Sequence, residues 1–334
     1  MIIVTGGAGF IGANLVRALN AAGETDILVV DNLAHHSDKF TNLSDLRIAD
    51  FEDKARFREA LERGRLPPRV RAVLHQGACS DTLERDGRYM LDNNFTTSKL
   101  LLEACQGAGV PLLYASSAAV YGAGTRFDEA PECERPLNVY GYSKLLFDQY
   151  LRARLPTLVA PVMGFRYFNV YGEREAHKGR MASMVRQMYL QLGETGQLRL
   201  FEGSDGYEPG EQSRDFVWVE DLVRVNLHFL EQPGPSGVYN LGSGRARSFN
   251  DLATVVVNAR RHLDGLVPLR TADLIEEGVI GYRPFPEGVR EKYQSFTCAR
   301  LDALRAAGYA APMTALEQGV PAYVQSLHAA SDTA

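Results

Sequence analysis

Cysteine is scarce in this sequence: Cys79, Cys105, Cys133 and Cys298 are the only four in 334 residues, and they form no CxxC or Cys/His cluster. That spacing gives no support to a zinc site or a dithiol motif, so no metal is expected and the cysteines read as reduced thiols of a cytosolic protein. Runs of basic charge are missing as well. The 36 basic and 41 acidic residues, a formal net charge of -5, are interspersed along the chain, which argues against a nucleic-acid partner. No stretch approaches the ~20 apolar residues that cross a bilayer. The chain opens directly on an apolar strand, with no basic region or cleavage site of an export signal. The expectation is a soluble, cytoplasmic protein without a membrane partner.

What is present is an ordinary globular composition, 45% hydrophobic and 23% charged, long enough for one large core and a smaller one. Up to about Asn169, short β-branched runs alternate with helical periodicity, the pattern of repeated βαβ units. The runs are Ile2–Thr5, Ile27–Val30, Leu46–Ala49, Ala72–His75, Leu112–Ser116 and Met163–Phe168. They predict an α/β fold with a Rossmann-type, doubly wound parallel sheet of six strands over residues 1–169. Gly- and Pro-containing loops then dominate, as in the polar stretch Glu202–Ser213, and predict a smaller α+β substrate-binding domain over 170–334. A strand-then-helix pattern resumes at Arg214, so the chain is expected to return to the first domain at about 214–241. The small polar tail Ala329–Ala334 is expected to fray.

The first strand runs straight into Gly6-Gly7-Ala8-Gly9-Phe10-Ile11-Gly12, followed by an amphipathic helix. In that context Gly6 permits a tight turn, Gly9 lets the backbone approach a pyrophosphate, and Gly12 lets the helix pack against the strand. The helix N-terminus supplies backbone N–H donors and partial positive charge, so phosphate binding needs no basic side chain. Asp31 closes the second strand nineteen residues after Gly12, where a carboxylate bonds ribose hydroxyls; taken alone, it favours NAD. Lys39 and Lys54 follow, and either ammonium could neutralise the 2′-phosphate of NADP or lie solvated at the surface. Residue chemistry leaves the choice of cofactor open here.

Tyr140-Gly-Tyr-Ser-Lys144 lies on a predicted helix, where spacing four puts both side chains on one face. It follows a strand that ends in Ser116-Ser117, the place where α/β folds put their sites. Oxidising a secondary alcohol requires its hydroxyl proton to leave as the carbonyl forms. Bringing a tyrosine from ~10 to about 7 for that task takes on the order of 4 kcal/mol of preferential phenolate stabilisation, for which Lys144 and a nicotinamide's positive charge are the expected sources. Ser117 would hold the substrate oxygen, with Ser116 as the adjacent alternative.

Gly6-x-x-Gly9-x-x-Gly12, Ser-Ser-Ala-Ala-Val-Tyr-Gly at 116–122, Tyr140-x-x-x-Lys144 and Arg166-Tyr-Phe-Asn-Val-Tyr-Gly172 together resemble the extended short-chain dehydrogenase/reductases, the NAD-dependent epimerase/dehydratase family. The alignment of that motif selects Ser117. A narrower resemblance, to the ADP-L-glycero-D-manno-heptose 6-epimerases, rests on His75-Gln-Gly-Ala-Cys-Ser80, Pro136–Lys144, His177-Lys-Gly-x-Met-Ala-Ser183, Phe201-Glu-Gly-Ser204, Arg214-Asp-Phe216, Tyr282-x-Pro-Phe-Pro286 and Ala306-Ala-Gly-Tyr309. It implies cofactor roles for Phe10, Ile11, Asp31, Asn32, Lys39, Lys54, Gln76, Gly77, Ala78, Cys79, Ser80, Asn93, Lys144 and Val170. It implies substrate roles for Asn169, Lys178, Arg180, Gln187, Phe201, Glu202, Gly203, Ser204, Arg214 and Tyr282. The sequence departs from that pattern at Gln76, where a glutamate is usual, and at Arg180 and Gln187, which replace a serine and a histidine. The resemblance also implies NADP, with Lys39 as the phosphate partner, and a homo-oligomer, specifically a homopentamer.

The activity implied is inversion of C6″ of ADP-D-glycero-β-D-manno-heptose by oxidation and re-reduction with bound NADP, supplying heptose to the lipopolysaccharide core. Two groups must serve the two hydroxyl orientations: Tyr140 and, by resemblance, Lys178, which could instead only contact the diphosphate. The rivals are a nucleotide-sugar 4-epimerase, a 4,6-dehydratase and a non-catalytic NADP-sensing protein. Ala118 and Ala119 cannot protonate a leaving hydroxyl, which disfavours dehydration. The presence of both Tyr140 and Lys144 disfavours the sensor.

Overall fold

The computed structural model describes residues 1–33, 38–288, 290 and 293–331. In chain order it contains β1 (Ile2–Thr5), α1 (Phe10–Ala21), β2 (Ile27–Asp31), β3 (Asp50–Asp53), α2 (Lys54–Glu62), β4 (Ala72–His75), α3 (Gly87–Met90), α4 (Thr97–Ala108), β5 (Leu112–Ser117), α5 (Val139–Arg154) and β6 (Val162–Tyr167). There follow β7 (Asn169–Tyr171), α6 (Met184–Thr195), β8 (Leu198–Phe201), β9 (Ser213–Trp218), α7 (Val219–Glu231) and β10 (Gly237–Leu241). Last come β11 (Ala246–Ser248), α8 (Phe249–Leu263), α9 (Thr271–Glu276), β12 (Ile280–Arg283), α10 (Asp302–Ala306) and α11 (Leu316–Ser331). The chain divides into two compact units. The first comprises Met1–Tyr167, Leu222–Leu241 and Leu301–Ala310; the second comprises Phe168–Asp221, Gly242–Arg300 and Ala311–Ala334.

The first unit is built on a parallel sheet in the order β10-β6-β5-β4-β1-β2-β3. This is the doubly wound α/β architecture, with the order reversing between β1 and β4, the crevice where such folds bind ligands. Strands β1, β2, β4 and β6 are buried along their whole length, as strands covered by helices on both faces must be. Ile3, Val30, Val73, Leu101, Leu112 and Val162 form the centre of one core. Gly164 in β6 has no room for a side chain, because a Cβ there would lie 2.2 Å from Cζ of Tyr114 in β5.

Seven strands are present where six were expected, and the third lies at Asp50–Asp53 instead of Leu46–Ala49. The reason is physical: β3 is an edge strand held to β2 by backbone bonds, and its Asp-Phe-Glu-Asp is not buried, so it carries no apolar signal. The seventh strand, β10, pairs with β6 from 70 residues downstream. Within 214–241, β9 pairs with β7 and β11 in the second unit, whereas the residues from Leu222 belong to the first.

The second unit contains the sheet β11-β9-β7, the parallel pair β12-β8, and α6, α8 and α11 packed on a core of Val185, Met188, Leu198, Leu252, Val256 and Val320. A capping box starts α8: Ser248 accepts from the Asp251 amide and the Asp251 carboxylate accepts from the Ser248 amide. The tail expected to fray lies in α11 as far as Ser331, and 332–334 fall outside the described residues. No helix of the described residues is long and apolar enough to cross a membrane. Among the same residues no group of His, Cys, Asp and Glu could hold a metal ion.

Candidate active site

The glycine loop leaves the C-terminal end of β1. Gly6 is left-handed, with φ +66°, and a Cβ on it would lie 2.6 Å from the Gly77 nitrogen. A Cβ on Gly12 would stand 2.1 Å from the Gly6 carbonyl oxygen, so α1 can approach the turn only because that atom is missing. Gly9 is different: its backbone is extended, and a Cβ would meet only the Gly6 oxygen, at 3.1 Å. It caps α1 without any side-chain acceptor. Phe10 is buried and Ile11 half-buried in the first turn.

Asp31 is tied to this loop. Its Oδ2 accepts from the Ala8 amide at 2.9 Å, and its Oδ1 accepts from the Asn32 amide at 2.7 Å and from Lys39 Nζ at 3.0 Å. Lys39 also reaches Asn32 Oδ1 at 3.3 Å. Lys54 takes a separate place at the start of α2, donating to Asn93 Oδ1 at 3.0 Å. Of the two candidate lysines, therefore, only Lys39 is beside Asp31.

Across the crevice, the 76–80 loop leaves β4 held by a directional chain of hydrogen bonds. The Gly77 amide donates to Thr5 Oγ1 at 3.1 Å, Thr5 Oγ1 lies 2.6 Å from His75 Nδ1, His75 Nε2 lies 2.9 Å from Ser98 Oγ, and Ser98 donates to the Asn94 carbonyl at 2.5 Å. Ser98 spends its one proton on the Asn94 carbonyl and so accepts from His75, which places a proton on Nε2; a neutral ring then leaves Nδ1 to accept from the Thr5 hydroxyl. Burial agrees, pulling the imidazole down to about 3. Asn94 clamps Cys79 from both sides, accepting from its amide at 2.8 Å and donating to its carbonyl at 3.0 Å. Ala78 is half-buried and Ser80 exposed. Burial pushes the Tyr167 hydroxyl up to about 12, with Asn226 and the facing Gln76 amide opposing, and neither buried polar atom of Gln76 makes a well-formed hydrogen bond.

Helix α5 carries the candidate residues Tyr140 and Lys144. Asn138 caps it, accepting from the Gly141 amide, and starts the helix so that Tyr140 and Lys144 share a face. Tyr140 hydrogen-bonds with Ser117 at the end of β5, and Ser117 Oγ also accepts from the Ala119 amide at 3.1 Å. Lys144 Nζ donates to the Ala115 carbonyl at 2.9 Å. Burial pulls Lys144 down to about 8, with Asp148 and Cys79 opposing. Burial also raises Tyr140 above the ordinary tyrosine value, more than the Ser117 bond lowers it. The expected lowering of Tyr140 is thus not produced by the protein's own residues; desolvation outweighs what the hydroxyl receives. Ser116, expected as the alternative to Ser117, turns into the core and donates to Asp148 Oδ2 at 2.9 Å. With its hydroxyl engaged there and 2% exposed, it is not open to a substrate.

The remaining candidates lie in the second unit. Asn169 and Val170 are in β7, exposed and half-buried. Lys178 sits in a short 3-10 turn, Ala176–Met181, kinked at Gly179, and burial lowers it against the opposing charge of Glu175. Glu175 accepts from the Ser183 amide at 2.6 Å and from Tyr323 at 3.0 Å. Gln187 donates to the carbonyls of Arg180 and Ala182, bracing the exposed Arg180 end of that turn.

A second group surrounds Phe201, whose ring stacks on Phe285 at 4.6 Å with Tyr293 edge-on at 5.9 Å. The Arg214 guanidinium lies 4.9 Å from the Tyr293 ring and 5.6 Å from that of Phe249. Among the described residues it has no carboxylate partner, and burial lowers it. Glu202 faces Arg290 at 3.5 Å, and Ser204 accepts from Gln212 at 3.1 Å. At Gly203 a Cβ would lie 2.2 Å from the Tyr207 carbonyl oxygen. Tyr282 donates at 3.1 Å to Asn250, the residue next in the chain to Phe249.

The cradle at Gly6 and Gly12, the Asp31–Lys39 pair and the nearby Ser117, Tyr140 and Lys144 fit a nicotinamide dinucleotide. Fold and candidate site thus define a doubly wound α/β protein fitted to a dinucleotide, with Ser117, Tyr140 and Lys144 as its candidate catalytic group. The sequence pattern of the NAD dependent epimerase/dehydratase family matches residues 2–242, and the chain belongs to that family. It is similar to the solved ADP-L-glycero-D-manno-heptose-6-epimerase of Helicobacter pylori, with 29% identity, 98% of this chain and 96% of that one covered, and a TM-score of 0.80. It is similar also to the UDP-glucose 4-epimerase of Thermotoga maritima solved with UDP-glucose: 26% identity, 99% of each chain, TM-score 0.77. Likeness to the Bacillus cereus UDP-glucuronic acid 4-epimerase solved with UDP-glucuronic acid and NAD, at 22% identity over 98% and 99% with a TM-score of 0.73, concerns the fold alone.

Proposed function

We propose that this enzyme inverts C6″ of ADP-D-glycero-β-D-manno-heptose, using NADP, in heptose supply for the lipopolysaccharide core. The observation that carries the reaction type is the meeting of Ser117, Tyr140 and Lys144 beside the glycine loop. The choice of substrate is supported by likeness to the Helicobacter pylori enzyme along nearly the whole of both chains. It is supported also by Arg214, a buried cation between aromatic rings whose natural complement is an anionic diphosphate.

When bound, the nicotinamide cofactor supplies reversible hydride transfer at the sugar carbon, and its positive charge supplies what Tyr140 lacks in the protein alone. Tyr140 takes the hydroxyl proton as the carbonyl forms, and Ser117 holds the same oxygen. Lys144 positions the tyrosine face of α5 through its bond to Ala115 and places an ammonium beside the phenolate. Lys178, with its proton affinity lowered by burial, serves the opposite hydroxyl orientation. Asp31 is already bound by Lys39, which favours the 2′-phosphate of NADP over a free ribose diol.

The test is incubation with ADP-D-glycero-β-D-manno-heptose, UDP-glucose and UDP-N-acetylglucosamine, with products resolved by NMR. Inversion at C6″ of the ADP-heptose supports the proposal. Inversion at C4 of a UDP-sugar, with the heptose untouched, replaces it by the 4-epimerase reading, and loss of water replaces it by a dehydratase despite Ala118 and Ala119.

A further inference from the structure

Helix α5 carries a third residue on the face of Tyr140 and Lys144. Asp148 lies one turn beyond Lys144 and is fully buried. Its Oδ1 accepts from the Tyr114 hydroxyl at 2.8 Å, and its Oδ2 accepts from Ser116 Oγ and from Arg166 Nε, both at 2.9 Å. Residues at spacing four on one helix therefore engage consecutive residues of β5: Asp148 takes Tyr114 and Ser116, Lys144 takes Ala115, and Tyr140 takes Ser117. A carboxylate with no water around it is retained only when paired and fully bonded. Arg166 in β6 pairs it and also binds Glu134, which Arg152 binds in turn. Two cations and two anions thus balance behind the site.

We propose that Asp148 is a positioning residue of the reaction centre: it locks α5 in register on β5 and stabilises the ammonium form of Lys144. The groups facing Lys144 are few. Tyr140 and Asp148 lie on its own helix, the Ala115 carbonyl on β5, His75 at the end of β4 and Cys79 in the loop after it. His75 is neutral and Tyr140 keeps its proton near neutral pH, whereas Asp148, ion-paired with Arg166, is the carboxylate among them. Burial alone would strip Lys144 of its proton more readily, and the carboxylate opposes this.

The proposal rests on the assignment of Ser117, Tyr140 and Lys144, and it is tested by readouts that need no substrate. The full chain has six lysines, so a 13Cε-lysine NMR spectrum is simple, and Lys144→Met assigns the signal wanted. In the wild type the Lys144 signal is expected to titrate at about pH 8. In Asp148→Asn the midpoint falls by about one pH unit or more, the size typical of losing one adjacent opposite charge. An unchanged midpoint overturns the charge role.

The double variant Tyr114→Phe, Ser116→Ala keeps the carboxylate and its arginine while removing both bonds to β5. Amide exchange over residues 115–117 is then expected to quicken by roughly tenfold or more. The activity found for the wild type is expected to lose kcat with little change in KM. Wild-type exchange in a folded double variant overturns the lock, and this arm decides the proposal should Asp148→Asn fail to fold. Failure to turn over any nucleotide sugar would leave both physical readouts standing, and so would count only against the proposed function.

Discussion

Alanine substitutions at the three loop glycines should separate folding from cofactor binding. At Gly12 the added carbon would stand 2.1 Å from a backbone oxygen that cannot swing away, so α1 must retreat from the turn by about 1 Å to restore contact distance. Strain of that kind costs roughly 2–3 kcal/mol, or a fall in Tm of about 3–4 °C for a chain of this size. At Gly6 both the left-handed backbone and the 2.6 Å approach to Gly77 oppose the substitution, with a similar loss expected. Gly9 has an ordinary extended backbone and one contact at 3.1 Å. The small strain there is offset by the lower chain entropy of alanine in the unfolded state, about 0.4–1 kcal/mol, and Tm should stay within about 2 °C. Yet Gly9→Ala should weaken the dinucleotide at least ~10-fold, because its methyl occupies the approach to the pyrophosphate. Thermal melts and isothermal titration with NADP and NAD measure both effects. If Gly9→Ala binds its dinucleotide with wild-type Kd, the loop does not hold the pyrophosphate as argued.

Four further outcomes are expected. Tyr140→Phe lowers turnover at least ~100-fold while leaving dinucleotide affinity intact; wild-type turnover in that variant would remove Tyr140 as the base. Denaturing the purified protein releases NADP, and Lys39→Ala shifts the ratio of Kd values towards NAD; release of NAD alone, with no shift in the variant, would return the selection to Asp31. Lys178→Met cripples epimerisation in both directions, since each uses one group to take the proton and another to return it; saturation kinetics showing a raised KM with unchanged kcat would reduce Lys178 to a binding contact. Finally, His75 in the folded state takes a proton only near pH about 3, against 6.5 in the unfolded chain. The unfolded state therefore binds more protons between those limits, and stability falls as pH drops from about 6.5, by up to about 1.4 kcal/mol per pH unit from this group. Denaturant melts at pH 7, 5.5 and 4.5 should show a flatter dependence in His75→Gln, and an equal slope would place the acid sensitivity elsewhere.

The glycine loop, the strands around it and the tyrosine and lysine of α5 were legible in the sequence because each carries a local signal: a fixed spacing, a continuous apolar run, a position at a strand end. β3 was not, since an exposed edge strand is held by backbone bonds and shows no hydrophobic period. Asp148 was equally silent. On a linear reading it is one more acid on an amphipathic helix, and its partners Tyr114, Ser116 and Arg166 come from two other strands. Ser116 and Ser117 show the opposite case, adjacent and alike in sequence but sent to opposite sides by the two-residue period of β5, one to the core and one to the site.

The missing side chain at Gly164 reaches further than packing. The Tyr114 ring lies where a Cβ on Gly164 would be, and the same tyrosine is pinned by its hydroxyl to Asp148. Positions 114, 148 and 164 therefore cannot drift separately during descent. A lineage that lost the aromatic ring could admit alanine at 164 and would leave the acid at 148 short of a donor; a lineage that first acquired alanine at 164 would have to give up the ring. Substitutions at these three sites are expected to be inherited as a set.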